Sequence, residues 1–473
     1  MTNVPRVGFP VGGYNRQVPR RYLILAICCM SLLIISLDVT IVNIALPAIR
    51  DDLGSSVSGL QWTIDAYTLV LASLLVLGGS CGDRFGRRRV FQAGLVLFTS
   101  GSLLCSAAPS LSWLIVFRMV QAVGGSMLNP VALSIITNTF TGPRERARAI
   151  GVWGAVTGFG LALGPLAGGV LVHAFGWRSV FWINVPVGIA AFLLARRFIP
   201  ESRAEHPRRL DPVGQILVLT LLAAVTFGII EGPTSGWTSP VIMGCFILGA
   251  AALAALLWWE PRRDEPLIEL SLFRTPAFSG AVLIAICAFA TLGGFLFLNT
   301  LYLQEVRGLS ALEAGLYTLP MAAMTIIASP LSGRLVGSRG TRLPLRIAGT
   351  AMALGLLPLT WATATTPGWQ LLAGYLVFGF GFGMVNTPIT NTAVSGLPRS
   401  RAGVAAAIAS TSRQVGTALG VAVIGAVASA SGPTTHAAWW IMLTLSVAVL
   451  LIGHLTANPR PAAPHPSPDP VTA

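Results

Sequence analysis

Lysine is missing from this chain, and all 31 of its basic residues are arginine. The absence excludes a P-loop, whose lysine must reach the nucleotide phosphates, and it excludes Schiff-base chemistry. An ATP-driven pump would need a separate nucleotide-binding subunit. Charge is scarce altogether: charged residues make up 10% of 473, where a soluble protein carries about a quarter. The hydrophobic share is 54% and the mean hydropathy +0.74, so the chain reads as an integral membrane protein. Its six cysteines (28, 29, 81, 105, 245 and 287) lie in or beside apolar runs with no disulfide or metal spacing, and its five histidines are scattered. No nucleophile–base or metal-ligand constellation is present, so neither an enzyme nor a metal or cofactor site is expected. Richness in alanine, glycine, arginine and proline without lysine suggests a bacterial genome of high GC content.

What the chain does have is long apolar runs, near 22–49, 58–79, 90–108, 112–136, 149–173, 179–199, 212–230, 238–259, 277–304, 311–332, 344–363, 368–394, 402–428 and 436–456. A hydrocarbon core ~30 Å thick needs about 20 residues at ~1.5 Å each, so fourteen membrane helices are expected. The first run is too long for a signal-peptide core and should stay as an anchor. With an inside N-terminus, 26 arginines fall in tails and inner connections, three outside (Arg50, Arg178, Arg307) and two within spans (Arg118, Arg413). That asymmetry is what the positive-inside rule demands, and it places both termini in the cytoplasm. The net charge of +14 therefore follows the membrane and does not imply nucleic acid.

A weak repeat divides the chain. GGSCGDRFGRRR after the second span is echoed by SGRLVGSRGTR after the tenth, and GSMLNP in the fourth by GMVNTP in the twelfth. The expected organisation is an all-α integral membrane protein with two pseudo-symmetric six-helix bundles, 22–199 and 276–456. A linker, 200–275, carries two extra helices, and tails 1–21 and 457–473 are disordered. PLIELSLFRTP (266–276) is expected to lie along the interface.

Asp38 is the single charge between Tyr22 and Ile49. A carboxylate at that depth costs at least ~2.5–3.5 kcal/mol, and work on ions or protons is the usual reason to keep one. Asp65 and Arg118 lie about two turns below the outer ends of the second and fourth spans, at a depth similar to Asp38. Arg118, Gln121, Gly125 and Asn129 form one polar stripe at helical spacing. An Asp–Arg pair offsets much of the burial cost. Burial favours the neutral acid and a guanidinium favours the carboxylate, so an aspartate that exchanges arginine for a proton can drive a conformational change. A permanent bridge that only fixes helix packing is the plainer alternative.

The loop after the second span, with Gly79, Asp83, Arg84, Gly86 and Arg87, resembles the signature G-x-x-x-D-R-x-G-R-R/K of the major facilitator superfamily. That resemblance implies an inner gate in which Asp83 can sit against a helix N-terminus of the other half. Gly160, Gly164, Pro165, Gly168 and Gly169 match the superfamily's antiporter motif G-x-x-x-G-P-x-x-G-G; small residues at this spacing let backbones touch. LDVTIVNIALPAI (37–49), RMVQAVGGSMLNP (118–130), Trp177-Arg178, Asn184 with Pro186, and RLDPVGQ (209–215) are similar to the fourteen-helix drug:proton antiporters. The resemblance implies a proton-coupled exporter with a seal at Gly164 and Pro165; Asp38, Arg118 and, by its depth, Asp65 are the candidate proton-coupling residues.

The second half departs from several multidrug members, which carry acids in spans ten and thirteen where this chain has Thr325 and Ser410 to Gln414. Arg413, without an obvious acidic neighbour, favours an anionic or neutral substrate. Candidate cavity residues are Trp62, Tyr67, Gln121, Asn129, Phe295, Asn299, Phe382, Asn386 and Arg413. The expected partners are a small amphipathic substrate, protons and the lipid bilayer of the bacterial cytoplasmic membrane, with the chain a monomer. A dedicated exporter of one metabolite, such as a self-made antibiotic or siderophore, and a non-transporting ligand sensor are the competing readings.

Overall fold

Backbone N–H and C=O groups in hydrocarbon have no water to bond, so a spanning segment must satisfy them within itself. The computed structural model describes residues 14–205, 211–263, 265–394, 399–432 and 435–457. Every regular element among them is helical, and fourteen helices are long and apolar enough to cross a membrane. The first six crossings are α1 (Tyr14–Leu53), α2 (Val57–Phe85), α3 (Arg87–Ser106), α4 (Leu111–Thr139), α5 (Pro143–Phe175) and the broken pair α6 (Ser179–Trp182) with α7 (Asn184–Phe198). The inserted pair is α8 (Pro212–Ser235) and α9 (Pro240–Trp259). The last six are α10 (Pro276–Leu301), α11 (Ala311–Arg339), α12 (Arg342–Leu356), the broken pair α13 (Gly368–Gly383) with α14 (Asn386–Val394), α15 (Arg399–Ser431) and α16 (His436–Thr456). With an even number of crossings, α1 starts and α16 ends on one face, here the terminal face; the other is the distal face. Helix α1 begins at Tyr14, earlier than the expected boundary at Tyr22. Residues 1–13 and 458–473, where disorder is expected, lie outside those described.

Local chemistry sets the boundaries. The Ser56 hydroxyl accepts from Gly59 N at 3.2 Å to start α2, and Ser310 with Glu313 forms a capping box on α11. Asp211 caps α8 through Gly214 N at 3.0 Å. Gly86, at φ 109°, turns α2 directly into α3 in a conformation that side chains resist. The twelfth crossing breaks where a glycine-rich stretch meets Asn386 and Pro388, which has no N–H to continue the ladder. The Met384 carbonyl at that break accepts instead from the Ser332 hydroxyl of α11 at 2.8 Å. Between α9 and α10, Leu272 is buried and Phe273 packs edge-on against Phe278, so the segment expected at the interface docks its apolar side under α10.

Three apolar clusters hold the bundles. One fills the second bundle around Phe295, Phe378 and Trp439, and another fills the first around Phe91, Phe98 and Leu128. The third lies in the distal half and crosses between them, joining Ile41, Ala45, Ile49 and Leu60 to Phe297, Leu301 and Val421. Polar contacts cross at the same level. Arg50 pairs with Glu305 at 2.9 Å, Gln304 donates to the Ile44 carbonyl at 3.0 Å, and Gln61 donates to the carbonyls of Val421 and Ala422 at 3.3 and 2.9 Å. The bundles are therefore clasped at the distal face.

Candidate functional site

Asp38 on α1 and Arg118 on α4 meet inside the first bundle, Nη1 to Oδ2 at 2.5 Å, and neither is more than 1% exposed. Two amides complete the carboxylate. Gln121 Nε2 and Asn184 Nδ2 both donate to Asp38 Oδ1, at 2.8 and 3.1 Å. Helical spacing puts Gln121 one turn below Arg118, so a single face of α4 supplies both the cation and an amide. Asn184 arrives from the break between α6 and α7. Its amide also reaches Ser102 Oγ at 3.0 Å, and that hydroxyl donates to the Phe181 carbonyl at 2.9 Å. The guanidinium has further partners of its own: Gln121 Oε1 at 2.9 Å, the Thr63 carbonyl at 3.2 Å, and the Tyr67 ring with its centroid 4.1 Å away. Both charged groups are bonded on every side named here, which is what makes a buried ion pair tolerable; among the neutral groups, Asn184 Oδ1 and the Tyr67 hydroxyl have no hydrogen-bond partner among the described residues.

The third charge at this depth stands apart. Gln61, one turn before Asp65 on the same helical face, bonds to α15, whereas Thr63 and Tyr67 on the other side of α2 meet Arg118. Asp65 therefore turns away from the Asp38 network. It is fully buried, its Oδ1 receives the Thr68 hydroxyl at 3.4 Å, and its Oδ2 has no hydrogen-bond partner.

The loop motif docks within its own bundle. Asp83 is held by Arg87 at 2.7 Å, the Arg87 N–H donates to the Ser202 carbonyl at 2.9 Å, and Ala204 N donates to the Asp83 carbonyl at 3.1 Å. Glu201 receives Arg88 N at 3.0 Å, and a side chain on Gly86 would strike its carboxylate. In this state the Asp83 carboxylate is bound by Arg87 of the same loop and not by a helix end of the second bundle; Arg84 is exposed and Gly79 packs near Pro130 of α4.

The α5 motif has two faces. A Cβ on Gly160 would lie 2.6 Å from Ser36, one on Gly164 would overlap the Thr40 hydroxyl, and one on Gly168 would lie 3.0 Å from Ile41, so this face packs on α1. Gly169 and Pro165 face the second bundle: a Cβ on Gly169 would lie 2.8 Å from Ala311 O, and the Pro165 carbonyl lies against Gly315. One segment thus binds α1 and meets α11 at the distal end of the bundle interface.

The remaining candidates are dispersed. Trp62 Nε1 donates to Glu231 of α8 at 2.8 Å. Phe295 stacks on Phe378 at 4.7 Å, and Asn299 accepts from the Tyr375 hydroxyl, both inside the second bundle. Phe382 sits edge-on to Phe289 at 5.3 Å. Asn129 and Asn386 are half-buried, and Asn129 Oδ1 is without a partner. Arg413 is half-buried and donates to Thr390 Oγ1 at 3.3 Å. Asn184 and Ser102 complete the Asp38 site yet were not among the expected site residues. A polar residue two positions before a proline inside an apolar span, as in Asn184-Val-Pro186, is a signal that could have found the first of them.

Twelve membrane-length helices in two bundles, an inserted pair beside them, and a sealed charge pair inside one bundle define the architecture of a secondary transporter. The profile described as Major Facilitator Superfamily matches residues 28–421, and the chain belongs to that superfamily. It is a transporter and not an enzyme. Among its relatives is the multidrug resistance protein Stp of Mycobacterium tuberculosis, 37% identical over 85% of this chain and 74% of that one. The methylenomycin A resistance protein of Streptomyces coelicolor is 35% identical over 94% and 93% of the two chains. The tetracenomycin C resistance and export protein of Streptomyces glaucescens is 36% identical over 84% and 74%. The crystal structure of a D-xylose-proton symporter shares the fold, with a TM-score of 0.65 at 15% identity over 93% of this chain and 98% of that one.

Proposed function

We propose that this chain is a proton-coupled exporter of amphipathic drugs or antibiotics in the bacterial cytoplasmic membrane, with its terminal face toward the cytoplasm. The sealed Asp38–Arg118 pair carries the proposal. Protonating Asp38 would release Arg118, but the guanidinium keeps Gln121 Oε1, the Thr63 carbonyl and the Tyr67 ring. The site can therefore hold a proton without stranding a bare cation, as a carrier that alternates between two charge states requires. Arginine placement supports the orientation, and relatives named for multidrug or antibiotic resistance support the outward direction.

In this reading, Asp83, Arg84 and Arg87 gate the terminal face, the Gly164–Pro165 segment seals the distal one, and Asp65 is a second, subordinate titrating group. Proton-driven uptake of a drug into everted vesicles, lost in Asp38→Asn, tests the coupling; undiminished uptake in that variant would refute it. The names of the methylenomycin A and tetracenomycin C relatives favour a second reading, in which one antibiotic is the dedicated substrate. Growth of cells with and without the gene across a chemically diverse panel separates the two: protection against one compound class alone would favour the second.

A further inference from the structure

The two lateral seams between the bundles are built differently. Along one, α2 and α15 are flanked by α8, which packs against both. Helix α8 is fastened at two levels: Gln215 donates to the Ser73 carbonyl toward the terminal face, and Glu231 accepts from Trp62 toward the distal face. Along the other seam α5 packs directly on α11. Contact there is tight at Gly169 and Pro165 and thins at Gly158, where a Cβ would find Ile326 at 3.7 Å. It then ends: side chains built at Gly151 and Gly154, or at Gly333 and Gly337 on the same lines of α5 and α11, would meet nothing within 4 Å.

The walls of this gap are apolar, with Ile326 on α11 and exposed Val152 and Phe159 beside the facing line of α5. Its mouth is basic. Arg144 and Arg148 lie along the facing line of α5 and Arg334 lies beside that of α11, next to Gly333, all exposed, against a single acid, Glu145. At ~1.5 Å per residue the gap reaches ~10–15 Å from those arginines into the leaflet. Arg413, deeper in the second bundle, repeats the sign.

We propose that the terminal half of the α5–α11 seam is the entry portal for a transported anionic amphipath dissolved in the terminal-face leaflet, and that α8 closes the corresponding seam on the other side. The inference rests on the exporter reading and narrows its substrate class. The apolar body lies between α5 and α11 while the acidic end is held by the arginines at the mouth.

The full-length protein in phosphatidylcholine nanodiscs, with p-benzoylphenylalanine at position 154 or at exposed position 219 of α8, is irradiated with 1-anilinonaphthalene-8-sulfonate or with the cationic dye Hoechst 33342. Saturable adducts of the anionic dye at 154 and not at 219 are expected, falling at least about fivefold in Arg148→Gln/Arg334→Gln. Equal, unsaturable labelling at both positions overturns the proposal, as does a preference for the cationic dye. Complete displacement by phosphatidylglycerol also overturns it and marks a lipid site. In everted vesicles, Gly154→Trp should raise KM for the anionic dye at least about fivefold with little change in Vmax, and Gly154→Ala should match the wild type. An equal loss of Vmax for both dyes would instead mark a block on bundle closure and overturn the portal. Wild-type vesicles that export neither dye nor any panel compound would count against the exporter reading, while the crosslinking pattern still decides the portal.

Discussion

The amide of Asn184 donates to the same Asp38 oxygen, Oδ1, as Gln121, leaving Oδ2 to Arg118. The carboxylate is thus divided between one oxygen for neutral donors and one for the cation. Both neutral donors can stay in place if a proton takes over the position of Arg118.

Replacing Asp38 tests that division. Asp38→Asn keeps the shape but removes the charge opposite a buried guanidinium, and breaking a buried pair costs ~3–5 kcal/mol. Proton-driven uptake into everted vesicles should fall at least ~100-fold, with Asp38→Glu retaining part of it. Equal uptake in wild type and Asp38→Asn would rule out this carboxylate as the coupling group.

Asn184→Ala removes one hydrogen bond to a charged acceptor, an interaction of ~1.5–3 kcal/mol. Transport should drop on the order of tenfold or more, while Asn184→Gln, which keeps the amide, recovers part of it. Both variants should reach the membrane in wild-type amounts on immunoblots.

Gly164 and Thr40 form a steric pair, because a methyl on the glycine would occupy the position of the threonine hydroxyl. Overpacking of this kind costs ~1–3 kcal/mol. Gly164→Ala should lower the thermal midpoint of the detergent-purified protein, and Thr40→Ala in the same chain should restore part of it, because the remaining Cβ at 40 would still lie 2.8 Å from the new methyl. No recovery at all in the double variant would show that the hydroxyl is not the group in the way.

The distal ion pair should matter little by itself. Arg50 and Glu305 are 38% and 25% exposed, and such pairs contribute ~0.2–1 kcal/mol. Glu305→Gln should shift the distal-open population by no more than about fivefold, read as electron–electron resonance distances between spin labels at Gly54 and Ser310. A complete switch of state would show that the apolar cluster beneath the pair contributes less than its burial implies.

Much of this was legible in the residues themselves. Apolar runs and arginine placement are properties of solvent and length, so all fourteen spans could be located. Asp38 and Arg118 could be matched because their depths agree and each needs the other. Depth alone, however, says nothing about direction around a helix axis. Asp65 sits near the same level yet faces away, because the faces of α2 are divided among α4, α8 and α15. Asn184 escaped because helical periodicity cannot be followed through the break at Ile183. The α5 motif could be identified as a packing surface from its small residues, but only the structure separates the face on α1 from the face on α11.

Gln61 fastens α2 to α15 through the main-chain carbonyls of Val421 and Ala422. The acceptors are main-chain, so no side chain at 421 or 422 supplies them, but both positions are buried, and a Cβ on Gly425, one turn further along α15, would lie 2.4 Å from Gln61 Cδ. The joint is therefore written in two helices, with the donor in α2 and the room for it in α15. A survey of variants would then show intolerance at 61 and at 425, and a shorter side chain at 61 would relax the demand for glycine at 425 while giving up the hydrogen bonds.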